Sequence, residues 1–183
     1  MRIGGTVGLS MGVFTDGKAH YVNLSYRDFE HKLPIPEETI FAACSLTKAV
    51  TAALVEKGKF GWDTLVKDVL PDCNIEDDIL RNKTTITDLH VHRTGMSISY
   101  YWPSSDNAIL ISQKDSMTRI NHQVSVNPFR GQFQYNNLRY ELAGHIIERL
   151  SKSKWVDLME SRILQPLEIP RSSLRVPGND VEN

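Results

Sequence analysis

Two stretches near the start of the chain alternate apolar and polar positions: residues 6–13 (Thr-Val-Gly-Leu-Ser-Met-Gly-Val) and residues 19–26. Successive side chains of a strand point to opposite faces, so each stretch reads as a strand. Between them lies Asp16-Gly17, a pair suited to the positive φ of a two-residue turn, and a β-hairpin is predicted. Pro34 and Pro36 follow, then a short β-prone run, Thr39-Ile40-Phe41. From Ser45 the spacing changes. Leu46, Ala49, Val50, Ala53 and Leu54 recur at helical intervals, and Gly58 is placed to end that helix.

Glycine, proline and polar residues punctuate positions 58–107, where short helices in long connections are expected. The stretch from Lys114 to Arg130 mixes charges and reads as a solvated face. A second periodic helix is predicted from about Leu138 to Leu150, with Leu142, Ile146 and Ile147 on its apolar face. Ser153 is placed to cap a third helix carrying Trp155, Leu158, Met159 and Ile163, which Pro166 would end. There is no internal repeat and no low-complexity segment. The pattern is α+β in a single domain: a hairpin in residues 1–34 forming part of a sheet, and a mostly helical region in residues 35–183.

Composition narrows the class. At 183 residues the chain suits one domain, in which folding buries roughly 70% of the unfolded surface. A net charge of −1 gives no broad field for nucleic acid or an anionic membrane surface. No run approaches the roughly 18 apolar residues of a spanning helix. Met1-Arg2-Ile3-Gly4-Gly5 lacks the apolar stretch of a signal peptide, so a cytoplasmic location is expected. Cys44 and Cys73 do not make a disulfide framework, and Cys44 reads as a small buried residue. The sequons at Asn23 and Asn82 then read as chance matches. His90-Val91-His92 has no carboxylate or cysteine at ligand spacing, so neither metal nor cofactor is expected.

Candidate chemistry centres on Ser45-Leu46-Thr47-Lys48. A serine hydroxyl is a weak nucleophile until a base lies within hydrogen-bond reach. Ser and Lys at i and i+3 share one face of a helix. With Ser45 as the first helical residue, the backbone N–H groups there would favour negative charge on its oxygen. Burial among Ala49, Val50 and Ala53 would make Lys48 a better proton acceptor. The tetrapeptide alone reads rather as a helix N-cap than as a nucleophile, and Ser151-Lys152-Ser153-Lys154 repeats the pattern as a capping segment.

The surrounding residues separate these readings. Thr39-Ile40-Phe41-Ala42-Ala43-Cys44-Ser45-Leu46-Thr47-Lys48-Ala49-Val50-Thr51-Ala52-Ala53, then Leu54 to Phe60, Trp62-Asp63-Thr64 and Val69-Leu70-Pro71, follow one family pattern in order. So do His92-Arg93-Thr94-Gly95-Met96, Phe133-Gln134-Tyr135-Asn136-Asn137 and Gln165-Pro166-Leu167. Over nearly its whole length the chain resembles the serine β-lactamase and penicillin-binding-protein superfamily, in particular class C β-lactamase-like esterases and acyltransferases. The resemblance implies a β-lactamase/transpeptidase-like fold, Ser45 as nucleophile with Lys48 beside it, and a small-molecule ester or amide substrate. It makes the His92 position structural, holding its loop. The segment Pro128–Glu148 is most similar to fungal members, which favours small esters or secondary-metabolite acyl groups over penicillins.

That family carries a second motif that shuttles the leaving-group proton, either Ser-Asp-Asn or Tyr-x-Asn. The chain offers both, Ser105-Asp106-Asn107 and Tyr135-Asn136-Asn137. Tyr135 directly precedes the strongly periodic helix, in the segment most similar to class C enzymes, and is the preferred shuttle. A phenol between Lys48 and a bound ester can lose its proton and act as base. By the resemblance, Asn137 hydrogen-bonds Lys48 and the substrate. Ser105 reads instead as a helix N-cap after Pro103. Tyr100-Tyr101-Trp102 reads equally as an acyl-binding wall or as loop packing.

The third motif, Lys-Thr-Gly or His-x-Gly on a late strand, has no counterpart after Asn137. The resemblance therefore implies that the closing strands and the last helix are missing, and one oxyanion-hole donor with them. Two smaller departures accompany this: a helix after Ser45 about one turn shorter than usual, and Glu168 where glycine is usual. The expected function is a serine hydrolase or acyltransferase, or else a truncated, inactive relative with a binding or regulatory role. An incomplete sheet is expected to be covered by a homodimer or a second polypeptide.

Overall fold

The structure, a computed structural model, describes residues 5–58, 60–97, 113–169 and 172. Packing divides them into two compact units, one holding residues 5–43, Ile169 and Ser172, the other Cys44–Glu168.

In the first unit, strand β1 (Gly8–Thr15) pairs antiparallel with β2 (Lys18–Asp28), from Gly8 opposite Ser25 to Thr15 opposite Lys18. Asp16 and Gly17 alone make the turn, at φ 51° and 74°. A two-residue turn of this hand needs left-handed backbone at both positions, and the pair supplies it. The ladder runs right up to that turn, past the end of the apolar alternation. A short β3 (Leu33–Pro34) pairs with the far end of β2 across a bulge between Tyr26 and Asp28. Leu9 lies opposite Leu24 and Met11 opposite Val22, and these four remain 41–49% exposed. Along the backbone ladder these side chains meet as cross-strand pairs. The β-prone run Thr39–Phe41 forms no strand, since no described strand pairs with it.

The second unit opens with a tight 3-10 turn, Cys44–Leu46, that leads into helix α1 (Thr47–Lys57). Short helices α2 (Val66–Val69), α3 (Asp78–Lys83) and α4 (Ile86–His90) follow, then α5 (Gln113–Asn121). Helix α6 (Asn137–Ser151) is next, and α7 (Trp155–Met159) runs on into a wider turn over Glu160–Leu164. Helix α6 organises this unit. Leu138, Leu142, Ala143, Ile146 and Ile147 are each at most 2% exposed, and α1, α2, α4, α5 and α7 pack around it. Burial of each large aliphatic side chain stabilises by about 1.5–3 kcal/mol. The Asn136 side chain caps α6 by accepting from the Leu138 N–H at 2.8 Å, and Lys152 in left-handed conformation ends it.

Three local expectations change. Ser153 does not cap α7, because the Trp155 N–H already donates to the Glu148 carboxylate at 2.9 Å. The 114–130 stretch is not wholly solvated: Ser116, Ile120 and Gln123 are buried. Glu168 stands at φ 54°, a left-handed conformation that costs an L side chain about 1–2 kcal/mol and accounts for the usual glycine. Among the described residues no helix is long and apolar enough to cross a membrane.

Candidate active site

The structure brings Ser45, Lys48 and Tyr135 together within the second unit. The Lys48 Nζ donates to Ser45 Oγ at 3.1 Å. The Tyr135 hydroxyl, 90 residues away in sequence, lies 2.7 Å from the same oxygen. Ser45 is not the first residue of a helix, as expected from the pattern; it occupies the 3-10 turn ahead of α1. That turn has three residues per turn and stacks i over i+3, so the Ser45–Lys48 contact forms there all the same. Cys44 enters the turn at φ 45° and is exposed rather than buried.

The setting of Lys48 also differs from expectation. Helix α1 turns Thr51, Leu54 and Val55 to the core, which leaves Ala49 and Ala53 exposed and Lys48 half-buried. Aromatic rings replace the expected aliphatic surround. The ammonium lies 4.9 Å from the Tyr135 ring and 5.5 Å from the Tyr140 ring, near enough for cation–π attraction. Partial burial pushes the Tyr135 phenol up, but hydrogen bonds from Lys48 and Ser45 and the charge of Lys48 outweigh it and leave the phenol below its ordinary value. Ser105-Asp106-Asn107 and Tyr100-Tyr101-Trp102 lie outside the described residues.

Tyr135 is held through the peptides on either side of it. His92 sits at φ 55°, where both its carbonyl and its ring meet the Tyr135 segment. The carbonyl accepts from the Gln134 N–H at 2.8 Å, and the ring Nδ1 accepts from the Asn136 N–H at 3.3 Å. The imidazole packs against Tyr135 at 4.7 Å between ring centres and against Tyr140 at 5.4 Å. Burial, together with the charges of Arg139, Lys48 and His90, holds the His92 pKa down at about 4, so its ring is neutral. The Asn136 amide donates to the Ser97 carbonyl at 2.7 Å, and Arg139 Nη1 donates to the Gln134 carbonyl at 2.6 Å. Asp88 and Arg130 close the far side with a bidentate pair, 2.8 Å for each bond, while Arg130 N–H donates to the Arg93 carbonyl at 2.7 Å. Gly95, at φ 76°, passes so close to the Asn127 carbonyl that a Cβ would fall 2.3 Å from its oxygen.

Asn137 begins α6 and is half-buried, and its side chain makes no hydrogen bond to Lys48 among the described residues. The amide that does anchor the segment is Asn136, 1% exposed. Sequence reasoning missed Asn136, Asp88 and Arg139. Each had a signal: Asn136 precedes a periodic run, Thr85-Ile86-Thr87-Asp88 is a capping-box pattern, and Arg139 falls on the Ala143 stripe of α6. Among the described residues no cluster of three or more His, Cys, Asp or Glu is arranged to hold a metal ion. The chemistry the triangle offers is proton transfer from a serine hydroxyl to a phenolate beside an ammonium.

A family profile described as Beta-lactamase matches residues 1–183. The unguisins hydrolase ungD' of Aspergillus campestris is 31% identical over 144 residues, which cover 73% of this chain and 27% of that protein. A class C beta-lactamase structure superposes with a TM-score of 0.79 at 21% identity, covering 97% of this chain and 48% of its own. The octameric penicillin-binding protein homologue from Pyrococcus abyssi gives 0.76 at 26% identity, over 88% of this chain and 39% of that one. The chain thus spans less than half the length of these relatives, and the beta-lactamase/transpeptidase fold is the one it shares with them.

Proposed function

The chain belongs to the beta-lactamase family, and we propose that it is a serine hydrolase or acyltransferase that forms an acyl-enzyme on Ser45 from small esters or amides. The carrying observation is the contact of one serine oxygen with both Tyr135, at 2.7 Å, and Lys48, at 3.1 Å. In this reading the Tyr135 phenolate takes the Ser45 proton as Oγ attacks the substrate carbonyl carbon. The tetrahedral adduct then expels its alkoxide or amine, and Tyr135 returns the proton to that leaving group. Lys48 keeps its proton throughout and offsets the negative charge on the phenolate. A neutral donor in that place would stabilise it far less. Water or an alcohol then attacks the acyl-Ser45 ester, with Tyr135 again as base, which decides between hydrolysis and acyl transfer. Asn137, at the start of α6, is assigned to the substrate's carbonyl or amide. The relative named as a hydrolase of unguisins, and the fungal resemblance of Pro128–Glu148, favour small esters or secondary-metabolite acyl groups over penicillins.

The test is a rapid-mixing measurement with p-nitrophenyl acetate. An acyl-enzyme gives a burst of p-nitrophenol approaching one equivalent per chain, absent in Ser45→Ala. Absence of both a burst and steady release dependent on Ser45, with ligand binding intact, would leave a binding or regulatory role.

A further inference from the structure

Arg139 breaks a rule that the rest of α6 obeys. It lies between Leu138 and Leu142 in the core, has no exposed surface, and faces no carboxylate partner among the described residues. Nη1 donates to the Gln134 carbonyl at 2.6 Å, while Nε and Nη2 are buried without a hydrogen-bond partner. A buried guanidinium so poorly satisfied opposes folding, and an apolar side chain of similar length would pack there at lower cost. Rule-breaking positions of this kind belong with function rather than stability.

We propose that Arg139 is a positioning residue for Tyr135: its guanidinium fixes the Gln134 carbonyl and, acting with His92, clamps the phenol against Ser45. The proposal rests on the reading of Tyr135 as proton shuttle. Gln134, which enters Tyr135, is held at both of its backbone groups, its carbonyl accepting from Arg139 and its N–H donating to the His92 carbonyl. The peptide leaving Tyr135 is held only while His92 Nδ1 can accept from the Asn136 N–H. Protonated, that nitrogen becomes a donor facing a donor, and the second jaw opens. The groups facing His92 are Arg139 and Tyr140 from α6, Lys48 from α1, His90 from α4, and Phe133, Tyr135 and Asn136 from the segment before α6. Arg139 is the buried permanent charge in that set and opposes an imidazolium. One side chain thus serves both jaws.

Arg139→Met removes the charge and the donor but keeps an unbranched apolar stem; Arg139→Lys keeps the charge and loses the fork. The Met variant should fold with a melting temperature equal to or above the parent's. Its acylation rate constant with p-nitrophenyl acetate should fall about tenfold to a hundredfold, the scale of a misplaced catalytic group, with KM little changed and partial recovery in the Lys variant. The His92 ring resonances should titrate at higher pH in the Met variant than in the parent, a readout that needs no turnover. A Met variant that fails to fold or melts lower while acylating normally would make Arg139 a brace and overturn the proposal, and so would unaltered acylation together with an unaltered His92 titration. If the parent itself fails to acylate, the reading of Ser45 falls, and the His92 titration still decides for or against the clamp.

Discussion

Replacement of Tyr135 by phenylalanine removes one oxygen and little else. The ring remains to pack on His92, now at 4.7 Å, and to face Lys48. The hydroxyl is lost from 2.7 Å of Ser45 Oγ. Since Tyr135 is 40% exposed, the missing hydrogen bond should cost about 1 kcal/mol of stability or less. Activity should respond far more. A positioned acid or base is worth about 10²–10⁴ in rate, or roughly 2.7–5.4 kcal/mol at 1.36 kcal/mol per decade. The assay is stopped-flow release of p-nitrophenol from p-nitrophenyl acetate across a pH series. This leaving group departs without a proton, so the burst isolates the base step. The parent rate should climb with pH and level off below the ordinary phenol value of 10, because the desolvation that raises the phenol is outweighed by hydrogen bonds from Lys48 and Ser45 and by the charge of Lys48. The Phe variant should lose both the rate and that rise. Burst rates within about threefold of the parent's, well below the general-base range, would refute the assignment. A larger loss in Ser105→Ala would transfer it to the Ser-Asp-Asn motif.

Lys48→Met keeps the side-chain length at half-burial and deletes the ammonium 3.1 Å from Ser45. Acylation should drop by about 10² or more, and the pH rise assigned to Tyr135 should move upward in the same stopped-flow assay. Asp88→Asn should destabilise by about 1–2 kcal/mol in urea unfolding, because the carboxylate, with a side chain only 5% exposed, accepts from Thr85 and bidentately from Arg130, while the half-exposed Arg130 regains water. Burial raises the Asp88 pKa, but the bonds from Arg130 and Thr85 outweigh it and leave the group below its usual value. The stability it contributes is therefore complete above the unfolded carboxylate value near 4 and is lost as pH falls through the lower folded value. Acid unfolding of the Asn variant should be correspondingly less steep below about pH 4.

Much of this was legible in the residues. Asp16-Gly17 specified the hairpin turn because few other pairs accept left-handed backbone twice in succession. Leu142, Ile146 and Ile147 specified α6 because a buried stripe must recur at helical spacing. The pairing of Ser45 with Tyr135 came from resemblance, since no local rule joins residues 90 apart. What stayed hidden was tertiary. The alanines after Lys48 suggested an aliphatic surround, yet Thr51, Leu54 and Val55 took the core face. The ring of Tyr140 reaches Lys48 only because α1 and α6 pack together. Arg139 does not stand out in the sequence, because an arginine in an amphipathic helix is ordinarily solvated; only its place on the Ala143 stripe points inward.

The most direct test of the central claim is intact-mass labelling of the purified chain with a fluorophosphonate, followed by peptide mapping of the adduct. The serine oxygen should displace fluoride and add one phosphonyl group per chain. That group should map to the peptide containing Ser45, with labelling abolished by Ser45→Ala and slowed by Lys48→Met. A phosphonyl group mapped to Ser151, or an unaltered yield in Ser45→Ala, would contradict it.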